Sequence, residues 1–178
     1  MTTTEFTGAF LRRCAQLEVS PLGLFSKIFG KPSGPVLYTL FSARPSSDLG
    51  SWAPNFPEHT EVVGYSSLGH FFLRSPDDQD YIVLHPFKRA AKSYGSFESV
   101  EEFETEILKE PGFDLHVLRS DHVAELFQHL GPLAEDQVYI PKPYPFLGGS
   151  EALETYEKGD AWVFMQVVAH MHGLDGSA

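Results

Sequence analysis

Disulfide chemistry is the first thing this 178-residue chain lacks, since Cys14 is its only cysteine. No intrachain bridge can form, which fits a reducing compartment. Cys14 follows Arg12 and Arg13, whose charge favours a thiolate, but a nucleophile also needs a positioned base. A buried helix cysteine is the plainer reading. Positive charge is also scarce: 13 Lys and Arg stand against 24 Asp and Glu, a formal net charge of −11. Such a chain repels phosphate backbones, which argues against direct nucleic-acid binding, and it attracts basic partners. No run approaches the ~18 consecutive apolar residues of a spanning helix. The start, Met1-Thr2-Thr3-Thr4-Glu5-Phe6, shows no basic segment followed by an apolar one, so no secretory signal is read and a cytoplasmic protein is expected. No Walker-type or Rossmann glycine fingerprint, nucleophile elbow or zinc-protease helix motif is present. No cofactor or metal is therefore implied, and a non-enzymatic protein is expected.

What the chain does have is apolar and aromatic material, 42% and 13% of its residues, with 15 Phe. That suits one globular domain of about 100–200 residues with its own core. Phe6, Phe10, Leu11 and Leu17 share one face of an expected helix over residues 3–18, and Ser20-Pro21 opens a second, short one through Phe29. Val36–Phe41 reads as a strand. Residues 42–58, rich in Pro, Ser and Gly, read as a long loop anchored by Trp52 and Phe56. Glu61–Ser66, His70–Arg74 and Tyr81–His85, with Lys88–Tyr94 as a fourth, read as an antiparallel meander, and residues 75–80 form a polar hairpin connection.

Ser96 or Ser99 caps an expected helix ending at Lys109, with Val100, Phe103, Ile107 and Leu108 as its buried stripe and Pro111-Gly112 as its stop. Ser120 caps another, lined by Val123, Leu126, Phe127 and Leu130. Residues 133–150 read as irregular, and Asp160–His172 as a largely buried helix with Gln166 and His170 on one side. The expected fold is α+β: a central antiparallel sheet of about four to six strands, flanked by helices on one face.

Chemistry-bearing candidates are few. His170 and His172 point in different directions on a helix, so one core and one surface histidine is the simpler reading. The pairs Asp114 with His116 and Asp121 with His122 have no third partner in view, and each reads as a surface pair. The stronger feature is charge. Glu98, Glu101, Glu102 and Glu106 crowd the exposed side of the first central helix, and Asp77, Asp78 and Asp80 crowd the hairpin connection. A solvated face is the usual meaning of such runs, and a docking strip for a basic partner is the functional one.

Two stretches carry a family resemblance. The first is Leu130-Gly131-Pro132-Leu133-Ala134-Glu135-Asp136-Gln137-Val138-Tyr139, then Pro141, then Pro145-Phe146-Leu147-Gly148-Gly149-Ser150. The second is Val63-Gly64-Tyr65-Ser66-Ser67-Leu68-Gly69-His70-Phe71-Phe72. Over roughly residues 60–173 the chain resembles the type VI secretion immunity proteins, whose known members protect against a DNase effector. Pro145-Phe146 stands where that family has a small residue and leucine, and residues 1–58 do not share the GAD-related half found in other members. The resemblance implies a non-catalytic inhibitor of a cognate toxin, a nuclease effector with a basic cleft. Two other functions are compatible with the residues: a small-molecule-binding protein or enzyme with a pocket near residues 42–58 and the C-terminal histidines, and a regulatory or scaffold module.

Overall fold

The structure is a computed structural model and describes residues 34–174. The two expected N-terminal helices and Cys14 lie outside that range. Within it, five strands form one antiparallel sheet in sequential order: β1 (Tyr38–Pro45), β2 (Glu61–Ser66), β3 (Phe71–Arg74), β4 (Asp80–His85) and β5 (Ala90–Ser96). The expected meander is present. A separate hairpin pairs β6 (Gln137–Pro141) with β7 (Tyr156–Asp160). It is tied to the sheet where the Tyr139 amide donates to the Ser67 carbonyl, 2.8 Å away.

Helices lie on both faces of the sheet, not on one. Val62, Tyr65, Phe71, Leu73, Ile82 and Leu84 point to one side and meet Phe164, Met165, Val168 and Ala169 of α4 (Ala161–Met171). Val63, Phe72, Tyr81 and Val83 point to the other and meet Phe103, Leu108, Phe113, Val117 and Leu118. The physical reason lies in the strands. Phe71–Leu73 and Tyr81–Leu84 are apolar at every position, and strand side chains alternate between faces, so neither face can be left to water. A third cluster, Leu68, Val123, Leu126, Tyr139 and Tyr156, fixes α3 (Ser120–Leu130) and the small hairpin.

The second face is covered by two short helical pieces that widen into π turns. α1 (Val100–Phe103) continues through Glu104–Leu108. Ser99, not Ser96, is its cap, accepting from the Glu102 amide at 3.2 Å. α2 (Pro111–Phe113) continues through Asp114–Leu118. This element is absent from the sequence reading, where Pro111 marks only a stop. Pro111 instead opens a helix, where its missing N–H costs nothing, and the Glu110 carboxylate accepts from the Phe113 amide at 2.7 Å. Ser120 does not cap α3. Its amide and hydroxyl both donate to the Asp114 carboxylate, at 3.0 and 2.8 Å.

Residues 42–58 are more ordered than a loop. β1 runs to Pro45, and 3₁₀ turns occupy Ser46–Asn55. Leu49 and Trp52 are buried beneath α4, and the Trp52 indole N–H donates to the Met165 carbonyl at 2.9 Å. Residues 133–150, read as irregular, contain β6, whose Val138–Ile140 core was hidden among prolines. The last element is a helix, as expected, but only one side of it is buried: Val163, Val167 and Met171 are 57%, 37% and 47% exposed. Gly69, with φ +80°, turns the chain between β2 and β3 against Phe164, and a Cβ there would lie 2.6 Å from the ring.

Trp52 joins the 3₁₀ segment to α4 by both bulk and a hydrogen bond. Trp52→Ala is expected to lower the unfolding free energy by about 3–5 kcal/mol, measured by urea denaturation, with Trp52→Phe losing clearly less.

Candidate functional site

The acidic candidates come from two separate places in the sequence, and the sheet brings them together. The β3–β4 connection closes with the Ser75 amide donating to the Asp80 carbonyl at 2.9 Å, which lifts Asp77 and Asp78 into solvent. The Phe97 amide then donates to the Gln79 carbonyl at 3.1 Å, and Ser96 pairs with Asp80. The chain therefore enters α1 alongside the hairpin tip. Asp77, Asp78, Glu98, Glu101, Glu102 and Glu106 are all exposed, and Asp78 and Glu98 flank the Gln79–Phe97 contact.

The seven candidates are not equivalent. Asp80 turns inward: one carboxylate oxygen is 2.9 Å from His59 Nε2, and the other accepts from the Ser93 hydroxyl at 2.6 Å. Glu102 reaches back so that its carboxylate accepts from the Glu98 amide at 2.6 Å, which with Ser99 satisfies two amides at the helix start. The Ser75 hydroxyl, then the Asp80 amide, hold the Asp78 carboxyl below its usual range. Among the described residues no cation lies within ion-pair distance of Glu98, Glu101, Glu102 or Glu106.

Five of the described basic residues are held in ion pairs with other carboxylates. Arg44 pairs with Asp48, Arg74 with Glu61, Arg119 with Glu151 and Lys142 with Glu157. Lys109 pairs with Glu104, which also accepts from the Tyr38 hydroxyl at 2.8 Å. That hydroxyl, and then Lys109, draw Glu104 below its ordinary range, while burial and the Glu104 partner push Tyr38 up to about 12. Glu104 thus serves the fold, and its neighbours Glu101 and Glu106 remain for solvent or a partner. Unneutralised carboxylates on a short rigid element attract a cationic surface over a range set by the ~8–10 Å Debye length.

Beside this surface lies an open groove of ≈ 290 Å³. It is lined by Lys92 and Tyr94 of β5 and by Ile107, Glu110, Phe113 and His116, among others. Glu110 is held below its ordinary carboxyl range by the Gly112 and Phe113 amides.

The histidines divide by packing. His172 is seated in the fold: its Nε2 is 3.0 Å from the Pro86 carbonyl, and its ring stacks on Phe146 at 4.5 Å between centroids. His170 faces the exposed side of α4. Asp114 is bonded to Ser120 and not to His116, while His122 lies 3.9 Å from Glu125 and packs on Tyr156. A pair that the sequence reading passed over is tighter. His70 and His85 meet edge to face at 4.7 Å, and His70 Nδ1 is 3.1 Å from the Ser66 hydroxyl. Only their cross-sheet register places them together, so spacing offers no signal. Part of His70 touches solvent, yet surrounding atoms enclose it deeply. Burial, then His85, Lys88 and Arg119, push it down to about 3. Burial, then Lys88 and Lys92, lower His85. Among the described residues no group of three or more His, Cys, Asp or Glu is arranged to hold a metal ion, and no helix is long and apolar enough to cross a membrane.

The Gly148-Gly149 pair in the family-like stretch has a steric role. Gly148 has φ +85°, and a Cβ on Gly149 would fall 1.7 Å from the Pro143 carbonyl oxygen.

His70 and His85, and His122 likewise, are shifted toward the neutral form, chiefly by burial, and this bears on acid stability. An unfolded His70 takes up a proton near pH 6.5, but the folded one resists until about pH 3. Stability therefore falls as pH drops below 6.5, before the depressed carboxylates begin to titrate. Urea midpoints measured from pH 7 to pH 5 are expected to decline, and His70→Gln is expected to flatten that decline.

Residues 97–172 match the family model for the T6SS immunity protein Tdi1, C-terminal. The matched segment begins at the hairpin contact and takes in α1, α2, α3, the small hairpin and α4. No curated protein matches. Among solved structures, the crystal structure of Atu4351 from Agrobacterium tumefaciens is similar in fold, with a TM-score of 0.51 at 17% identity. The alignment covers 75% of this chain and 66% of that one, so this chain spans just under two thirds of its length.

Proposed function

We propose that this chain, which carries the C-terminal region of the T6SS immunity family over residues 97–172, is a cytoplasmic immunity protein that binds and neutralises a cognate nuclease effector. The family match over the segment bearing Glu98, Glu101, Glu102 and Glu106 is the observation that carries the reading. The role is binding, not catalysis. A nuclease holds a phosphate backbone with a basic cleft, and a partner of formal net charge −11 is drawn to such a cleft by the same field that attracts the substrate. The docking residues are Glu98, Glu101, Glu102 and Glu106, with Asp77 and Asp78 at the adjoining hairpin tip. Asp80 supports that tip through His59 and Ser93.

The direct test is co-expression and pull-down with the product of the adjacent gene. Stoichiometric capture with rescue from its toxicity is expected, and the absence of both would sink the reading.

The acidic surface makes a kinetic prediction. Replacing Glu98, Glu101 and Glu106 with Lys, leaving the capping Glu102 in place, is expected to slow association with that product roughly ten-fold or more at low salt. The difference shrinks as salt rises. Stopped-flow association at several ionic strengths checks it, and equal rates at low salt would place docking elsewhere.

A further inference from the structure

Among the described residues, the five-stranded sheet ends in an open strand. β5 pairs with β4 on one side only, because the sheet order stops there. The opposite edge, β1, has its pairing broken between Leu40 and Arg44. On β5, Ala90, Ala91, Lys92 and Ser93 pair without interruption against His85, Leu84, Val83 and Ile82. The irregularity comes beyond them, between Tyr81 and Ile82, where Gly95 has φ +102°. Charges and bulges are the usual guards of an exposed edge. Here the bulge sits at the far end, and the only charged side chain, Lys92, folds its ammonium over the Tyr94 ring at 4.6 Å.

The helical layer does not stop where the strands do. The ≈ 290 Å³ groove has β5 residues Lys92 and Tyr94 as one wall, and Ile107, Phe113 and Val117, with Glu110, Gly112 and His116, of the helical layer as the rest. One more strand would lie about 4.8 Å outward from β5, with alternate side chains pointing toward that layer. The groove stands where one of those side chains would go. Leu115, which precedes His116 in the chain, is 70% exposed. β5 also leads directly into the acidic surface, since Glu98 follows Ser96 by two residues. An occupant of this edge meets apolar surface in the groove and carboxylates at its end.

We propose that β5 is where the cognate effector docks, adding an extended segment as a sixth strand. One of its apolar side chains enters the groove, and basic residues continue onto Glu98, Glu101 and Glu106. Backbone pairing supplies affinity, and the groove and carboxylates supply selection. This inference rests on the function proposed above.

Hydrogen–deuterium exchange on the full chain, free and bound to the adjacent gene's product, tests it. Outward amides within Ala90–Ser96 are expected to exchange at least ~10-fold more slowly in the complex. His116→Trp, which fills the groove from an exposed position, is expected to weaken capture about ten-fold or more, with thermal melting unchanged. Leu147→Trp, an exposed control outside the groove, is expected to bind as wild type. A stable, neutralising complex with unchanged β5 exchange and full binding by His116→Trp would overturn the sixth strand and leave the immunity reading standing. A free protein that sediments as a dimer with β5 already protected would assign the edge to a second copy and overturn it too. Absence of any complex would overturn both.

Discussion

Burial of β3 and β4 on both faces is the constraint on which the rest depends. Phe71 and Leu73 need one cover while Phe72 needs another, and Ile82 and Leu84 oppose Tyr81 and Val83 in the same way. Each face therefore recruits its own layer. α4 and the Trp52 segment close one side, and the two π-widened pieces around Phe103 and Phe113 close the other. A side chain of this size contributes about 1.5–3 kcal/mol when fully buried, so neither layer is dispensable.

That division of labour places the acidic surface. The helix carrying Glu98–Glu106 is held by Phe103 and Leu108, both fully buried, and Phe103 stacks on Tyr81 at 4.6 Å between centroids. Its polar side is thus presented on a rigid base. The carboxylates then sort by local hydrogen bonding. Glu102, Glu104, Glu110 and Asp80 are engaged by amides, hydroxyls or a histidine of the same chain. Glu98, Glu101, Glu106 and Asp77 extend into solvent, and Asp78 is exposed but accepts from the Asp80 amide. Five basic residues are held in ion pairs with other carboxylates, and none of those pairs uses Glu98, Glu101 or Glu106. Surface pairs of that kind add little stability individually, so their larger effect here is on where negative charge accumulates.

Much of the fold was legible because its signals are local. Apolar and aromatic runs between turn residues marked β2 to β4, and a serine cap at 96 or 99 with the 100, 103, 107 and 108 stripe marked α1. The elements that were missed lack such signals. β6 lies among prolines, and α2 begins at a Pro-Gly pair that normally ends a helix. Its start depends on Glu110 reaching the Phe113 amide, a contact that propensity does not reveal. The apolar runs in β3 and β4 did hold the information that both faces are covered, since continuous apolar strands are those buried on two sides.

For the site, the sequence by itself determined the charge, the two acidic runs and the family resemblance, because composition and short motifs require no third dimension. Only the tertiary structure decided that the runs at 77–80 and 98–106 adjoin, since that follows from the Gln79–Phe97 hydrogen bond. It likewise decided which carboxylates serve as caps, that His70 faces His85, and that β5 ends the sheet beside a groove. Each of these follows from strand register and layer packing. Those are contacts between residues far apart in the chain, and local preferences cannot encode them.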